Sequence, residues 1–198
     1  MDITIKPLSP ELAKDYFDFF EQRAFTDESP YRCYCQVYQM TKEQLQAASE
    51  DVIGLDPGQI ARKVAEQQIQ DGALRGYLAY ANGMSVGWCN ANDRANYPEE
   101  PAFDMPFHAP AANREKAVIC FEIAPEYRRM GIASALLDRV INDAKTEGFK
   151  AVVGFPVARS ERFEWDYPGP LQMYEKAGFI KTSPTKMDEI VVMRKELG

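Results

Sequence analysis

The chain has 198 residues, 45% of them apolar and 27% charged, which are ordinary values for one globular domain with a core of normal size. Its formal net charge of −7 argues against a nucleic-acid partner, because neutralising phosphates needs clustered Lys and Arg. No stretch approaches the roughly 20 apolar residues of a membrane span, and Asp2, Lys6 and Pro7 interrupt any apolar leader, so a cytoplasmic protein is expected.

Ile3-Thr4-Ile5 alternates and reads as a first strand, and Pro7 to Pro10 is a break. Glu11 to Phe20 is predicted helical, with Leu12, Tyr16, Phe19 and Phe20 on one side. Thr41-Lys42-Glu43-Gln44 has the spacing of a capping box and starts another helix. Asp56-Pro57-Gly58-Gln59 starts a third: Asp56 can cap, Pro57 fits the first turn, and a stripe from Ile60 to Ile69 follows until Gly72. Gly76 to Ala81 and Ser85 to Cys89 are strands joined by the hairpin signal Asn82-Gly83. Asp93 to Arg114, dotted with four prolines, is predicted to be a functional loop or flap.

Ala117 to Ala124 is the strongest strand signal, closed by Pro125. The next helix carries a stripe from Ile132 to Ala144 and stops at Gly148. Ala151 to Phe155 is a buried strand, parallel to its predecessor if the crossover between them is right-handed. Ser160 to Gly169 is an aromatic, charged loop. Gly169 to Ala177 is a short helix ended by Gly178, and Glu189 to Arg194 is a final strand. Of the four cysteines, only Cys33 and Cys35 are close in sequence. That pattern fits free thiols better than a disulfide framework. A structural zinc site, which needs four ligands, is not expected, and His108 is remote from the pair.

The chemistry concentrates at Arg128-Arg129-Met130-Gly131-Ile132-Ala133, the joint between the strongest strand and the longest amphipathic stripe. The first N–H groups of a helix lack partners inside it, the helix dipole adds positive potential, and a glycine lets a phosphate approach the backbone. A second segment, Tyr174-Glu175-Lys176-Ala177-Gly178-Phe179, follows one strand later.

These two signatures, in this order and with a strand between them, resemble the GNAT superfamily of acetyl-CoA-dependent N-acetyltransferases. The R-x-x-G-x-A pattern is carried by Arg128, Gly131 and Ala133, and the terminal-helix motif by Tyr174 to Phe179; the resemblance covers Val118 to Phe179 directly. It implies an α+β fold: a single domain, residues 1–198, whose mixed, mostly antiparallel twisted sheet has helices on both faces and a parallel pair that splays at the cofactor site. Residues 1–75 would then form the variable substrate side and 76–198 the acetyl-CoA-binding core. Arg129, Met130, Gly131, Ile132, Ala133 and Ser134 would cradle the diphosphate of coenzyme A, with charge from Arg128 and Arg129. Backbone groups near Ile123 and Ala124 would pair with the pantetheine arm, and an N–H near Phe121 to Ile123 would polarise the thioester. The asparagine that the family often carries after the next strand is missing from Val153-Gly154-Phe155-Pro156-Val157, which leaves one pantetheine contact unassigned.

The resemblance further implies that Tyr174 protonates the departing thiolate and that a strand carboxylate, Glu122, serves as base; Glu164, Asp166 and His108 are lesser candidates, and the amine could also arrive deprotonated. Transfer would be direct, in a ternary complex, with Cys120 a core residue. The acceptor is expected to be a small-molecule amine held among Tyr34, Trp88, Arg94 and Trp165, with no metal, nucleic acid or membrane, in a monomer or homodimer. An acyl-CoA-binding sensor without turnover, or a protein or peptide N-acetyltransferase, are the alternatives.

Overall fold

The computed structural model describes residues 2–27, 32–50, 56–103, 105, 114–158, 167–184 and 189–198. Seven strands form one sheet: β1 (Ile3–Pro7), β2 (Gly76–Ala81), β3 (Met84–Asp93), β4 (Glu115–Ile123), β5 (Ala151–Gly154), β6 (Ile180–Pro184) and β7 (Val191–Glu196), in the order β1-β2-β3-β4-β5-β7-β6. Every neighbouring pair is antiparallel except β4–β5. Among the described residues five α-helices accompany it: α1 (Ala13–Gln22), α2 (Lys42–Glu50), α3 (Pro57–Gln70), α4 (Ile132–Thr146) and α5 (Leu171–Lys176).

Local chemistry accounts for the boundaries. Pro7 does not end β1 but lies in it, opposite Tyr77; an edge strand tolerates the missing donor. Asn82 and Gly83 both take positive φ (50° and 81°), the backbone that a two-residue hairpin turn needs. Both capping boxes form: Thr41 accepts from the Gln44 amide while Gln44 reaches back to Thr41, and Asp56 and Gln59 do the same for α3. Part of the predicted flap is structured. Asp93 still belongs to β3, a 3-10 turn covers Arg94–Asn96, and the Ala102 amide donates to the Met40 carbonyl at 2.8 Å. Strand β6 is a departure from the sequence reading: Ile180-Lys181-Thr182 lacks apolar alternation because it edges the sheet, with Ile180 66% exposed.

Each face of the sheet has its own core, as helices on both faces require. On one, α1 lays Tyr16, Phe19 and Phe20 against Trp88, with Ala65 and Ile69 of α3 in the same cluster. On the other, Leu136, Leu137 and Val140 of α4 and Met173 and Tyr174 of α5 cover Val118, Phe121 and Val152. The sheet therefore holds Cys120, Glu122 and Trp88 toward α1, and Phe121 and Ile123 toward α4. No helix among the described residues is long and apolar enough to cross a membrane.

Candidate active site

Strand β4 pairs with β5 only from Glu115–Ala151 to Val118–Gly154, and then runs on alone to Ile123. Two features separate the strands. Pairing with β3 slips between Asn90 and Ala91, a bulge that adds local twist to β4. Strand β5 stops at Gly154, and Pro156, just beyond, has no N–H to continue a ladder. The gap opens into a cleft of about 560 Å³ lined by Phe121, Glu122 and Ile123 of β4, by the loop entering α4, and by Tyr167, Gly169, Pro170 and Met173.

The loop entering α4 is built to receive an anion. Gly131 is the N-cap with φ 84° and supplies no side-chain cap; Arg129 two residues earlier is also left-handed, at φ 65°. Among the described residues no protein acceptor takes the N–H groups of Arg129, Met130, Gly131, Ile132, Ala133 or Ser134. A run of free amides around left-handed residues at the start of a 15-residue helix is an oxyanion nest reinforced by the helix dipole. A β-carbon on Gly131 would meet no atom within 4 Å, so the space before the amides is open. These residues fit a diphosphate. Arg129 adds an exposed guanidinium with no partner among the described residues.

Arg128 departs from expectation. Its guanidinium is turned inward, away from the nest: Nε donates to the Ile123 carbonyl at 3.0 Å, Nη1 to Asp27 Oδ2 at 2.5 Å and Nη2 to Glu122 Oε1 at 3.3 Å. The backbone amide of Arg128 is also used, by the Pro125 carbonyl. The charge expected on the phosphates is instead spent on a carboxylate.

That carboxylate, Glu122, is 3% exposed. Its Oε2 has no hydrogen-bond partner among the described residues. Burial pushes its pKa up to about 7, against the pull of the Arg128 cation and the Ile123 amide, and the nearby Asp27 anion adds to the rise. A buried carboxyl with one orphaned oxygen, half-ionised near neutrality and facing a cleft, has the properties of a general base.

Tyr174 lies beneath β5, fully buried, its ring edge-on to Phe179 at 5.2 Å. Its hydroxyl donates to the Pro168 carbonyl at 2.8 Å, and burial raises its pKa. The Phe121 amide, which points into the splay, donates to the adjacent carbonyl, that of Tyr167, at 2.6 Å. Two consecutive carbonyls of one strap thus hold the phenol and the amide that the sequence analysis assigns to the thioester.

The expected acceptor pocket is not assembled as written. Trp88 is completely buried under α1, edge-on to Tyr16, and is core. Arg94 pairs with Glu115 at 2.7 Å, at the far end of β4 from Glu122. Tyr34 packs on Phe17 and Phe20 at the border of the α1-side core, with its hydroxyl 3.4 Å from Glu21. Trp165, Glu164, Asp166 and His108 lie outside the described residues. Cys35 and Cys120 are core, and Cys35 Sγ accepts from Asn90 Nδ2 at 3.3 Å. The described residues contain no cluster able to hold a metal ion. Asp27 was not anticipated at the site: it is 101 residues from its partner Arg128, and no spacing rule reaches that far.

A family model described as the acetyltransferase (GNAT) family matches residues 11–179. No curated protein gives a significant match. Among solved structures, a GNAT-family acetyltransferase from Streptococcus pneumoniae is 16% identical with a TM-score of 0.56 and full coverage of both chains. PaiA N-acetyltransferase from Thermoplasma acidophilum, in complex with coenzyme A, is 15% identical with a TM-score of 0.56 over 99% of each chain. The NatC complex bound to Gag peptide and CoA is 13% identical with a TM-score of 0.54 and full coverage of both chains. At these identities the solved structures speak for the fold, and the family model carries the assignment: this chain belongs to the GNAT acetyltransferase family.

Proposed function

We propose that the protein acetylates the primary amine of a small molecule by direct transfer from acetyl-CoA in a ternary complex. The observation that carries this reading is the Glu122 Oε2, buried beside the same cleft as six nest amides that, like it, have no hydrogen-bond partner among the described residues. The nest and Arg129 would hold the diphosphate. The edge of β4 at Ile123, and Ala124 beyond it, would guide the pantetheine arm, and the bound thioester supplies the acetyl group. Glu122 takes the proton of the incoming ammonium on Oε2, leaving a neutral nucleophile. The Phe121 amide stabilises the carbonyl oxygen as charge develops on it, and Tyr174 protonates the departing thiolate. Both donors need the Tyr167–Pro168 strap to give way first.

Support for a small acceptor comes from the segment after β3. It is pinned to Met40 and Thr41 by the Ala102 hydrogen bond and a bridge between Thr41 and Pro101, and its Tyr97 packs in the core on the α1 side of the sheet, the side on which a peptide acceptor would need an open groove. The strap contacts favour one second reading, a sensor that binds acyl-CoA without turnover, because both donors are already engaged. The deciding experiment measures free thiol released from acetyl-CoA across a panel of small amines and peptide amino termini, with the wild type and Glu122→Gln. Turnover of a small amine that Glu122→Gln abolishes supports the proposal. Peptide-only turnover overturns the acceptor class, and acetyl-CoA binding with no release across the panel supports the sensor.

A further inference from the structure

We infer that Arg128 is a positioning residue for Glu122, aiming one carboxylate oxygen and setting how readily the other takes a proton, and that Asp27 moderates this action from α1's side. The inference rests on Glu122 being the base of the proposed reaction.

The geometry is specific. Three nitrogens of one planar guanidinium meet three acceptors on two segments: the Ile123 carbonyl and Glu122 Oε1 at the end of β4, and Asp27 in the turn after α1. A guanidinium presents its donors in a fixed fork, so these contacts together fix its plane; an ammonium cannot reproduce them. With Oε1 held, Oε2 is the oxygen left for an acceptor. A second contact joins the same two segments, Thr26 Oγ1 to Glu126 Oε1 at 3.0 Å, so the Asp27 turn is stapled to the base of the phosphate loop.

The distances rank the partners. Arg128 lies closer to Asp27 (2.5 Å) than to Glu122 (3.3 Å). Asp27 therefore draws the cation partly away from Glu122 and adds its own negative charge nearby. Full ion pairing would leave Glu122 a permanently ionised, weak base, whereas burial without a cation would keep it protonated. The shared cation holds it between these limits. The other titratable groups facing Glu122 are the thiols of Cys33 and Cys35, from the loop after α1, and of Cys120, from β4 itself.

The signs follow. The base works when ionised, so turnover falls as pH drops through the Glu122 titration. Removing the Arg128 cation moves this acid limb to higher pH, and removing the Asp27 anion moves it lower. The test is the pH dependence of kcat for the wild type, Arg128→Gln, Arg128→Lys, Asp27→Asn and Glu122→Gln. It is paired with titration of the Glu122 carboxyl by ¹³C NMR of glutamate-labelled protein, its resonance assigned by its absence in Glu122→Gln. Arg128→Gln is expected to raise the midpoint by about one pH unit and lower kcat at pH 7 by roughly fivefold, with recovery at high pH. Asp27→Asn is expected to lower the midpoint. Arg128→Lys is expected to keep the midpoint within a few tenths of a pH unit while losing part of kcat, because it keeps the charge and loses the fork. A merely structural role would not move two midpoints in opposite directions. Unmoved midpoints in Arg128→Gln and Asp27→Asn, with Glu122→Gln inactive, would overturn the inference alone; full activity in Glu122→Gln would overturn the reading beneath it. Should Arg128→Gln fail to fold, the NMR midpoint of Asp27→Asn decides: a downward move supports the inference and no move overturns it.

Discussion

Gly154 lies against the ring of Tyr174 so closely that a β-carbon on the glycine would stand 2.1 Å from Cε1 and 2.6 Å from Cζ. The last residue of β5 and the proposed proton donor thus share one space, at the point where the parallel strands part. The family's usual asparagine in this region has no counterpart here, and this contact explains why the strand end itself cannot take one: any side chain at 154 would evict the phenol.

Gly154→Ala is therefore expected to displace Tyr174 rather than be absorbed, since the glycine is buried and the tyrosine fully so. Overpacking of this kind costs about 1–3 kcal/mol. Thermal unfolding should show the loss, and turnover should fall further than the stability change explains. A variant as active and as stable as the wild type would mean that the ring is free to move.

Tyr174→Phe separates the structural and chemical parts of the same residue. It removes the hydrogen bond to the Pro168 carbonyl, a net loss of about 1 kcal/mol, and leaves the packing on Phe179 intact. If the phenol protonates the thiolate, kcat should fall by roughly a hundredfold or more while acetyl-CoA affinity by calorimetry stays close to wild type. Unchanged turnover would confine Tyr174 to a structural role in tethering the strap.

Glu122 also makes a prediction about stability. Its pKa is raised on folding from an ordinary 4.5 to about 7, so the folded protein binds the proton more tightly than the unfolded chain. Burial of the neutral carboxyl is favourable relative to the ionised one below pH 4.5, and this contribution is lost as pH rises through 7, on the order of 3 kcal/mol in all. Glu122→Gln should accordingly unfold at a higher temperature than the wild type at pH 8 and show little difference at pH 4. Equal increments at both values would show that the carboxyl titrates normally. A proposed base held at a stability cost matches the pattern expected of an active site.

Much of this site was legible before any coordinates, for reasons that differ residue by residue. Gly131 and the stripe from Ile132 announce themselves because a left-handed N-cap and a 3.6-residue period leave local marks, and Asn82-Gly83 and the two capping boxes do likewise. Tyr174 and Glu122 came from motif order. The inward turn of Arg128 was not legible, because its partner Asp27 is joined to it only through the tertiary fold. The acceptor residues failed for a related reason: aromatic density at Trp88 marks a core as readily as a pocket, and only the packing of α1 decides between them. Strand β6 carried no alternation because it lies at the sheet edge.

The two adjacent arginines should part company in kinetics. Arg129 stands beside the nest with an exposed guanidinium, so Arg129→Ala should raise the KM for acetyl-CoA, several-fold at low salt, and leave kcat near wild type. The effect should shrink as salt rises, because an exposed charge is screened over about 10 Å at 0.1 M. Arg128 contacts Glu122 instead, so Arg128→Ala should lower kcat with a smaller change in that KM. Gly131→Ala tests the nest itself. The new methyl meets no neighbour, but a left-handed φ of 84° strains any side chain by about 1–2 kcal/mol. Relaxing the strain turns the free amides away from their common focus, so calorimetry should record weakened coenzyme A binding with the fold retained. Wild-type affinity in Gly131→Ala, together with unchanged KM in Arg129→Ala, would mean that the phosphates sit elsewhere.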